Sequence, residues 1–449
     1  MSFFRPTSES SLSATPAEAV PPVAGSPDAE VRVQRTSEIL GEAIMDSVSS
    51  VRDSLPKEHR THFETLRQEI IDFTKAQGIS KESLGKPDLL REATCKLSTP
   101  DLERLADLLE RFEHLVKYKE PKKEDYTEAL EYAEEFYHLR EQYTSQVSLL
   151  EQVSILKEGA ILGIDNKKYP IPTLEQIAMR LFERRETLRT KHDQGFTKLL
   201  LVPFGMSLDT LRETFKQFLL KYKKDNPTFN LDTHEPLWAW SDYQGADIGD
   251  SPNLVYYPQS FTKEGHGGKT KAQILKEQAQ GRWTPAFAGV AGGKGLGTPG
   301  WTVHLLQPSN PSDPHSPGFA HIPREGRGTS QGDLVPRPSL EASKTPNEYL
   351  SILQSDQGDK DSPYRGETGM TPEDWITAFM IHLSETGKPL DDYYANDTES
   401  ISYLTGAFFQ SSVLVPYAYW GRGDRQAGLN GYDPRDRDER VGARFSVVV

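Results

Sequence analysis

Tyr417-Ala418-Tyr419-Trp420-Gly421-Arg422-Gly423-Asp424-Arg425-Gln426-Ala427-Gly428-Leu429-Asn430-Gly431-Tyr432-Asp433-Pro434-Arg435-Asp436-Arg437-Asp438-Glu439-Arg440 is almost free of aliphatic side chains. Tyr and Trp supply rigid contact area, Arg supplies bidentate hydrogen bonds, and Asn and Gly supply adaptable loops, as in protein recognition surfaces. The same composition also suits a solvated, charged loop ahead of a last strand. Composition alone leaves both readings open. Gly442-Ala443-Arg444-Phe445-Ser446-Val447-Val448-Val449 follows and predicts one closing strand.

Upstream of this ending, the chain from Phe196 mixes short apolar runs with helix signals. Strands are expected at Lys198–Pro203, Pro236–Trp240, Leu254–Tyr257 and Trp301–Leu306. Helices are expected after Ser207, after Thr345-Pro346-Asn347-Glu348 and after Thr371-Pro372-Glu373-Asp374, each opening on a capping residue. Residues 280–343 are loaded with Gly, Pro and Ser and predict an insertion, either a functional excursion or disordered.

Residues 35–192 carry helical periodicity. After Thr99-Pro100, Leu102, Leu105, Leu109, Phe112 and either Leu115 or Val116 form one apolar stripe. A longer run, 123–157, predicts a single helix of roughly 50 Å at 1.5 Å per residue. The region reads as a bundle or a coiled-coil stalk, with self-association through its helices open. Residues 1–34, rich in Ser, Pro and Ala, predict a disordered tail.

The chain has 449 residues and a net charge of −14, which argues against nonspecific nucleic-acid binding. No window has the apolar length of a membrane span, and the start lacks an apolar signal core. A soluble, cytoplasmic protein is expected; unconventional export leaves no mark in such a sequence. Cys95 is the single cysteine, so no intrachain disulfide forms.

Candidate chemistry is sparse. Gly289–Gly295 is one residue short of a phosphate loop, and the G-x-G-x-x-G at 295–300 contains Pro299. Both read as flexible loop. The histidines lack zinc spacing, and His382, next to its helix's apolar face, is expected to pack or to face solvent rather than to act as a ligand. Glu373 and Asp374 read as first-turn anions that complement the helix dipole. Asp391 with Asp392, or Asp397 with Glu399, lacks the oxygen-ligand grammar of a calcium loop. No catalytic residue, metal or cofactor is expected.

The sequence Val415-Pro416-Tyr417-Ala418-Tyr419-Trp420, then Arg422, Arg425-Gln426-Ala427, Leu429 and Gly442-Ala443-Arg444, carries a resemblance. It resembles the ending of the formylglycine-generating-enzyme-like branch of the C-type lectin fold, in particular the variable proteins of diversity-generating retroelements. The chain from Phe196-Thr197-Lys198 through Gly369-Met370-Thr371 onward is similar to proteins of candidate-phyla bacteria that share this ending. The closing Gly442-Ala443-Arg444 departs from the usual Gly-Val-Arg or Gly-Phe-Arg.

The resemblance implies an α+β protein: an N-terminal all-α region, then a C-type-lectin-like domain over 193–449 with short twisted sheets, two or three helices and a variable-region-like end at 417–449. It implies that Trp420, Arg422, Arg425, Gln426, Ala427, Leu429, Pro434, Gly442 and Arg444 are scaffold. Binding would fall to Tyr419, Trp420, Gly421, Gly423, Asp424, Gly428, Asn430, Gly431, Tyr432, Asp433, Arg435, Asp436, Arg437 and Asp438, with Glu439 in the same variable stretch. Adenine-directed mutagenesis yields Gly, Asp, Tyr, Ser and Arg, matching much of that list. Enzymes of this branch use paired cysteines to bind copper, and residues 193–449 have none. The expected role is therefore a ligand- or protein-binding module with a diversified C-terminal surface, its partner an unknown protein or surface ligand. The alternative is a structural or adaptor protein working through its helices; an enzyme using carboxylates or histidines would need a deep pocket where they converge.

Overall fold

A computed structural model describes residues 126–284, 298–355, 362–392 and 400–449, and part of 52–119. The chain divides into two compact units, Met1–Glu124 and Asp125–Val449. The expected tail at 1–34, the glycine loop 289–295, Cys95, Asp397 and Glu399 lie outside the described residues.

The first unit contains α1 (Thr99–Tyr118). Its apolar stripe buries Leu102, Leu105, Leu109, Phe112 and Leu115 together with Phe63, Leu66 and Ile70. Phe63 and Phe112 meet with ring centroids 5.0 Å apart.

The second unit is a mixture of helices and several sheets. It begins well before residue 192, because the predicted long helix is two helices that belong to this unit's core. These are α2 (Thr127–Tyr137) and α3 (Leu139–Gln152), broken at His138, whose φ is 47°. That left-handed residue turns the chain so that α3 lies along a strand. Gln142 accepts from Leu199 N–H at 2.7 Å and donates to Thr197 O at 3.1 Å. Gln146 accepts from Leu201 N–H at 2.9 Å and donates to Leu199 O at 2.6 Å. Two buried side-chain amides thus satisfy the edge of β3 (Lys198–Val202), which an unpaired strand would otherwise leave open.

After α3 come a small ribbon, β1 (Ala160–Leu162) and β2 (Lys168–Pro170), and the helices α4 (Leu174–Glu183) and α5 (Arg185–Asp193). Thr173 and Gln176 cap α4 reciprocally. Beyond β3 follow α6 (Leu208–Asp225), β4 (Leu237–Ala239), β5 (Leu254–Tyr256), α7 (Lys271–Ala279) and β6 (Thr302–Leu306). Then come α8 (Pro346–Ser355), β7 (Glu367–Gly369), α9 (Pro372–Thr386), β8 (Ile401–Tyr403) and β9 (Ala407–Phe409). The chain closes with β10 (Val415–Gly421), β11 (Gln426–Tyr432), β12 (Val441–Ala443) and β13 (Phe445–Val448).

The larger sheet has five strands in the order β12-β8-β10-β11-β4, and a second has four in the order β3-β6-β13-β7. The expected single closing strand is therefore two strands in different sheets. Arg444 is the residue between them, buried at 6% exposure. β6 occupies an interior position of the four-stranded sheet, inside the Gly/Pro-rich stretch. Residues 307–343 beyond it are irregular but bury Phe319, Ile322, Leu340 and Ala342. α9 is buried along nearly its whole length, and Trp375 and Phe379 pack with Phe215 of α6.

Candidate ligand-binding face

β10 and β11 form an antiparallel hairpin with Tyr417 opposite Asn430, Tyr419 opposite Gly428 and Trp420 opposite Ala427. Side chains alternate between the two faces of a strand, so this register sorts the hairpin into two surfaces. Ala418, Trp420, Ala427 and Leu429 point into the main core. Trp420 is 3% exposed and lies against Phe229 and Phe379 at 5.2 and 6.0 Å. Of its two expected roles only scaffold fits, because period-2 alternation turns it away from Tyr419.

The opposite surface carries Tyr417, Tyr419, Asn430 and Tyr432, all partly exposed. Tyr417 and Tyr419 stack with centroids 5.8 Å apart, and Tyr432 meets Tyr417 edge-on at 5.7 Å and Tyr403 at 5.1 Å. Asn430 donates from Nδ2 to the Tyr417 hydroxyl at 3.0 Å. Burial, then the neighbouring Tyr419, pushes Tyr417 up to about 12, so its hydroxyl stays protonated and able to donate.

Gly428 is buried beneath this row. A Cβ there would sit 2.3 Å from the Tyr419 ring, so the glycine is what lets that ring lie across the strand. Gly431 faces the other way, where a Cβ would approach Trp240 to 2.8 Å. Gly421 is buried too, though a Cβ there meets nothing closer than 3.4 Å. Gly428 and Gly431 thus make room for aromatic rings, and of the three glycines Gly431 alone has solvent access.

The hairpin turn is Arg422-Gly423-Asp424-Arg425, all exposed. Arg425 closes it in the left-handed region at φ 58°, with its N–H on Gly421 O at 2.6 Å. Gln426 is half-buried at the start of β11. After β11, Asp433 pairs with Arg435 at 2.7 Å, Arg437 with Glu348 at 2.5 Å and Arg440 with Asp438 at 3.0 Å. Arg435 first, and its backbone N–H next, hold the Asp433 carboxyl down at about 2. Pro434 is buried, while Asp436 and Glu439 are exposed. Beside this segment a cleft of about 470 Å³ is lined by Asn347, Glu348, Ser351, Ile352 and Arg437. Ile352 also packs in the cluster that holds the tyrosines.

The scaffold arginines find the two acids weighed as calcium ligands. Arg444 reaches Asp391 at 2.5 Å, and Arg422 reaches Asp392 at 2.6 Å. Asp391 also accepts from the Trp375 indole at 2.9 Å, and its carbonyl accepts from Trp420 N–H at 3.0 Å. Asp391 therefore ties β10 and Arg444 to α9, and Asp392 holds the hairpin turn through Arg422. Gly442 is required by its surroundings, since a Cβ would meet Ile322 at 2.4 Å. No group of three or more potential metal ligands occurs among the described residues. No described helix is long and apolar enough to cross a membrane.

Two buried polar groups at the start of α9 escaped sequence reasoning. His304 of β6 touches Ser446 Oγ at 2.9 Å and Asp374 at 3.4 Å, all three fully buried. Burial lowers His304 to about 3 and raises Asp374 to about 8, so near neutral pH an uncharged acid faces an uncharged ring. Sealed from solvent, this row has no route for a substrate. The second group centres on Lys271, with Asp247 at 2.5 Å and Glu373 at 2.8 Å. Glu373 is thus a buried ion-pair partner as well as a first-turn residue, and Asp374 caps α9 reciprocally with Thr371. Neither group follows a local spacing, so no motif announces it. No family model, curated protein or solved structure matches this chain.

Proposed function

We propose that the chain is a non-enzymatic binding protein whose second unit is a C-type-lectin-like domain of the retroelement-diversified kind, recognising an unknown protein or surface ligand through β10, β11 and the segment after them. The observation that carries this reading is the sorting of the hairpin. Residues expected to be scaffold, Trp420, Ala427, Leu429, Pro434, Gly442 and Arg444, are buried. Of the residues expected to bind or vary, Tyr419, Gly423, Asp424, Asn430, Gly431, Tyr432, Asp433 and Arg435 through Glu439 have solvent access. A buried framework under an accessible aromatic and polar surface allows exchange of contact residues at little cost to the fold. Arg422 and Arg425, exposed, are exceptions among the scaffold residues, one holding Asp392 and the other closing the turn, and Gly421 and Gly428, buried, are exceptions among the variable ones.

A library randomised at Gly423, Asp424, Asn430, Tyr432, Asp433, Arg435 and Asp436 tests it. Most members should remain folded, and selection against a protein target should enrich binders changed at those positions. General unfolding of the library, or binders that never use the face, would overturn the reading. A near-repeat of this coding segment, differing mainly at adenines and adjoining a reverse transcriptase gene, tests the diversification itself.

A further inference from the structure

Lys271 opens α7 with its side chain fully buried, and it shares its ammonium between two equally buried acids. Nζ lies 2.5 Å from Asp247 Oδ2, 2.8 Å from Glu373 Oε1 and 2.7 Å from Met206 O. The rings of Phe204 and Tyr256 flank it at 5.3 and 5.6 Å. Tyr256 also donates its hydroxyl to Glu373 Oε1 at 2.7 Å. The N–H of Leu208, first residue of α6, donates to Asp247 Oδ2 at 2.9 Å. The other oxygen of each acid, Asp247 Oδ1 and Glu373 Oε2, is buried with no hydrogen-bond partner. One cation for two carboxylates, with two orphaned oxygens, is a costly arrangement for a simple ion pair.

We propose that Lys271 and Asp247 are joined by an intramolecular amide bond, formed in the folded chain with Glu373 as proton shuttle. Nζ first passes one proton by way of Glu373 to Asp247 Oδ1; the lone pair so freed attacks Asp247 Cγ, and the Cγ–Oδ1 bond breaks with its electrons on oxygen. In all, two of the three Nζ protons pass by way of Glu373 to Oδ1, which leaves as water. The third remains as the amide hydrogen. Oδ2 becomes the amide carbonyl, and the Leu208 N–H at the positive end of α6 stabilises the charge it carries during attack. No oxidant or cofactor enters. Burial favours loss of the ammonium's proton, but Asp247 and Glu373 outweigh it and hold the proton more tightly than usual. A reaction needed once per molecule tolerates that barrier, and exclusion of water protects the product from hydrolysis.

The contrast within the molecule supports the assignment. Lys191, also buried, meets Glu367 at 2.7 Å, but Arg337 engages both oxygens of that acid. No oxygen of Glu367 is orphaned, and nothing there is positioned to leave.

Intact-mass measurement of the full-length chain, denatured after purification, is the test. The expected result is a mass lower than the sequence by one water, and a branched tryptic peptide joining the segments that hold Asp247 and Lys271. Lys271→Arg keeps the positive charge but should show the full mass, and Glu373→Gln should show it as well. A folded chain of full sequence mass, with the two residues in separate linear peptides, overturns the proposal. So does a water deficit that persists in Lys271→Arg. The wild-type peptide map decides the matter even if both variants fail to fold.

Discussion

Glu367 and Glu373 lie six positions apart on either side of the β7–α9 junction, and both are fully buried, yet they are satisfied in opposite ways. Glu367 has two cations, Lys191 and Arg337. Burial pushes its carboxyl up, but Arg337 and then Lys191 more than reverse this and leave it below the usual range. Glu373 has to share Lys271 with Asp247. The next residue, Asp374, has no cation and is held uncharged instead. Three acids in one short segment thus show three solutions to burial: surplus positive charge, shared charge and protonation. A carboxyl's sequence position says little about which applies, because the partners come from far along the chain. Lys191 is 176 residues from Glu367.

The harshest way to break this comparison is to remove the best-served acid. Glu367→Ala leaves Lys191 and Arg337 buried without their counter-charge. The expected loss is about 5 kcal/mol, the upper end for breaking a buried pair, because two cations are stranded. Chemical denaturation measures it, and a loss below about 1 kcal/mol would show that water reaches the site. Asp391, with one arginine and one indole, is intermediate. Asp391→Asn keeps the shape but discharges the partner of Arg444, and is expected to cost about 3 kcal/mol. Its readout is the same denaturation curve, with Arg444→Met as the reciprocal variant. Removing both partners together should cost less than the sum of the single changes.

Asp374 gives a smaller effect with a definite sign. Its pKa is raised from 3.8 to about 8, so across that window the folded chain keeps a proton that the unfolded chain releases. Stability therefore falls as pH rises through the window. His304 acts on the other side. Lowered from 6.5 to about 3, it lets the unfolded chain take a proton that the folded chain refuses, so stability falls as pH drops below 6.5. The two slopes oppose each other between about pH 4 and 6.5 and leave Asp374 alone above it. At about 1.4 kcal/mol per pH unit, roughly 2 kcal/mol should be lost between pH 6.5 and 8. Thermal unfolding across that range should show the decline in the natural chain and its absence in Asp374→Asn.

Helix starts were plain in the sequence because they are local. Ser207, Thr345 and Thr371 each accept from the N–H three residues on. The apolar strands at 198–202 and 302–306 were equally plain. What remained hidden depends on distant chain. Apolar periodicity reads 123–157 as one helix, because it cannot weigh Gln142 and Gln146 as hydrogen-bonding partners of a strand edge. It reads the last eight residues as one strand, because Arg444 looks like a surface residue until Asp391 is placed beside it. The candidate face was legible in its residue types but not in its orientation. The pairing of Tyr419 with Gly428 and the burial of Trp420 against Phe229 and Phe379 show that Trp420 belongs to the other side.

The mildest change carries the comparison from the interior to the surface. Asn430 donates to the Tyr417 hydroxyl just as Trp375 donates to Asp391, but both Asn430 and Tyr417 are partly exposed. When Asn430→Ala removes that donor, water can replace it, so the expected cost is below about 1 kcal/mol. Its absence should also raise the Tyr417 pKa further, since the amide's hydrogen bond is among the influences that lower it. Tyrosinate absorbance against pH reads this directly. A large stability loss with no change in tyrosine titration would make the Tyr417–Asn430 pair part of the core. An unaltered unfolding curve with a shifted titration is what a surface able to change its residues requires, because a contact position can be exchanged freely only where solvent stands ready to take the partner's place.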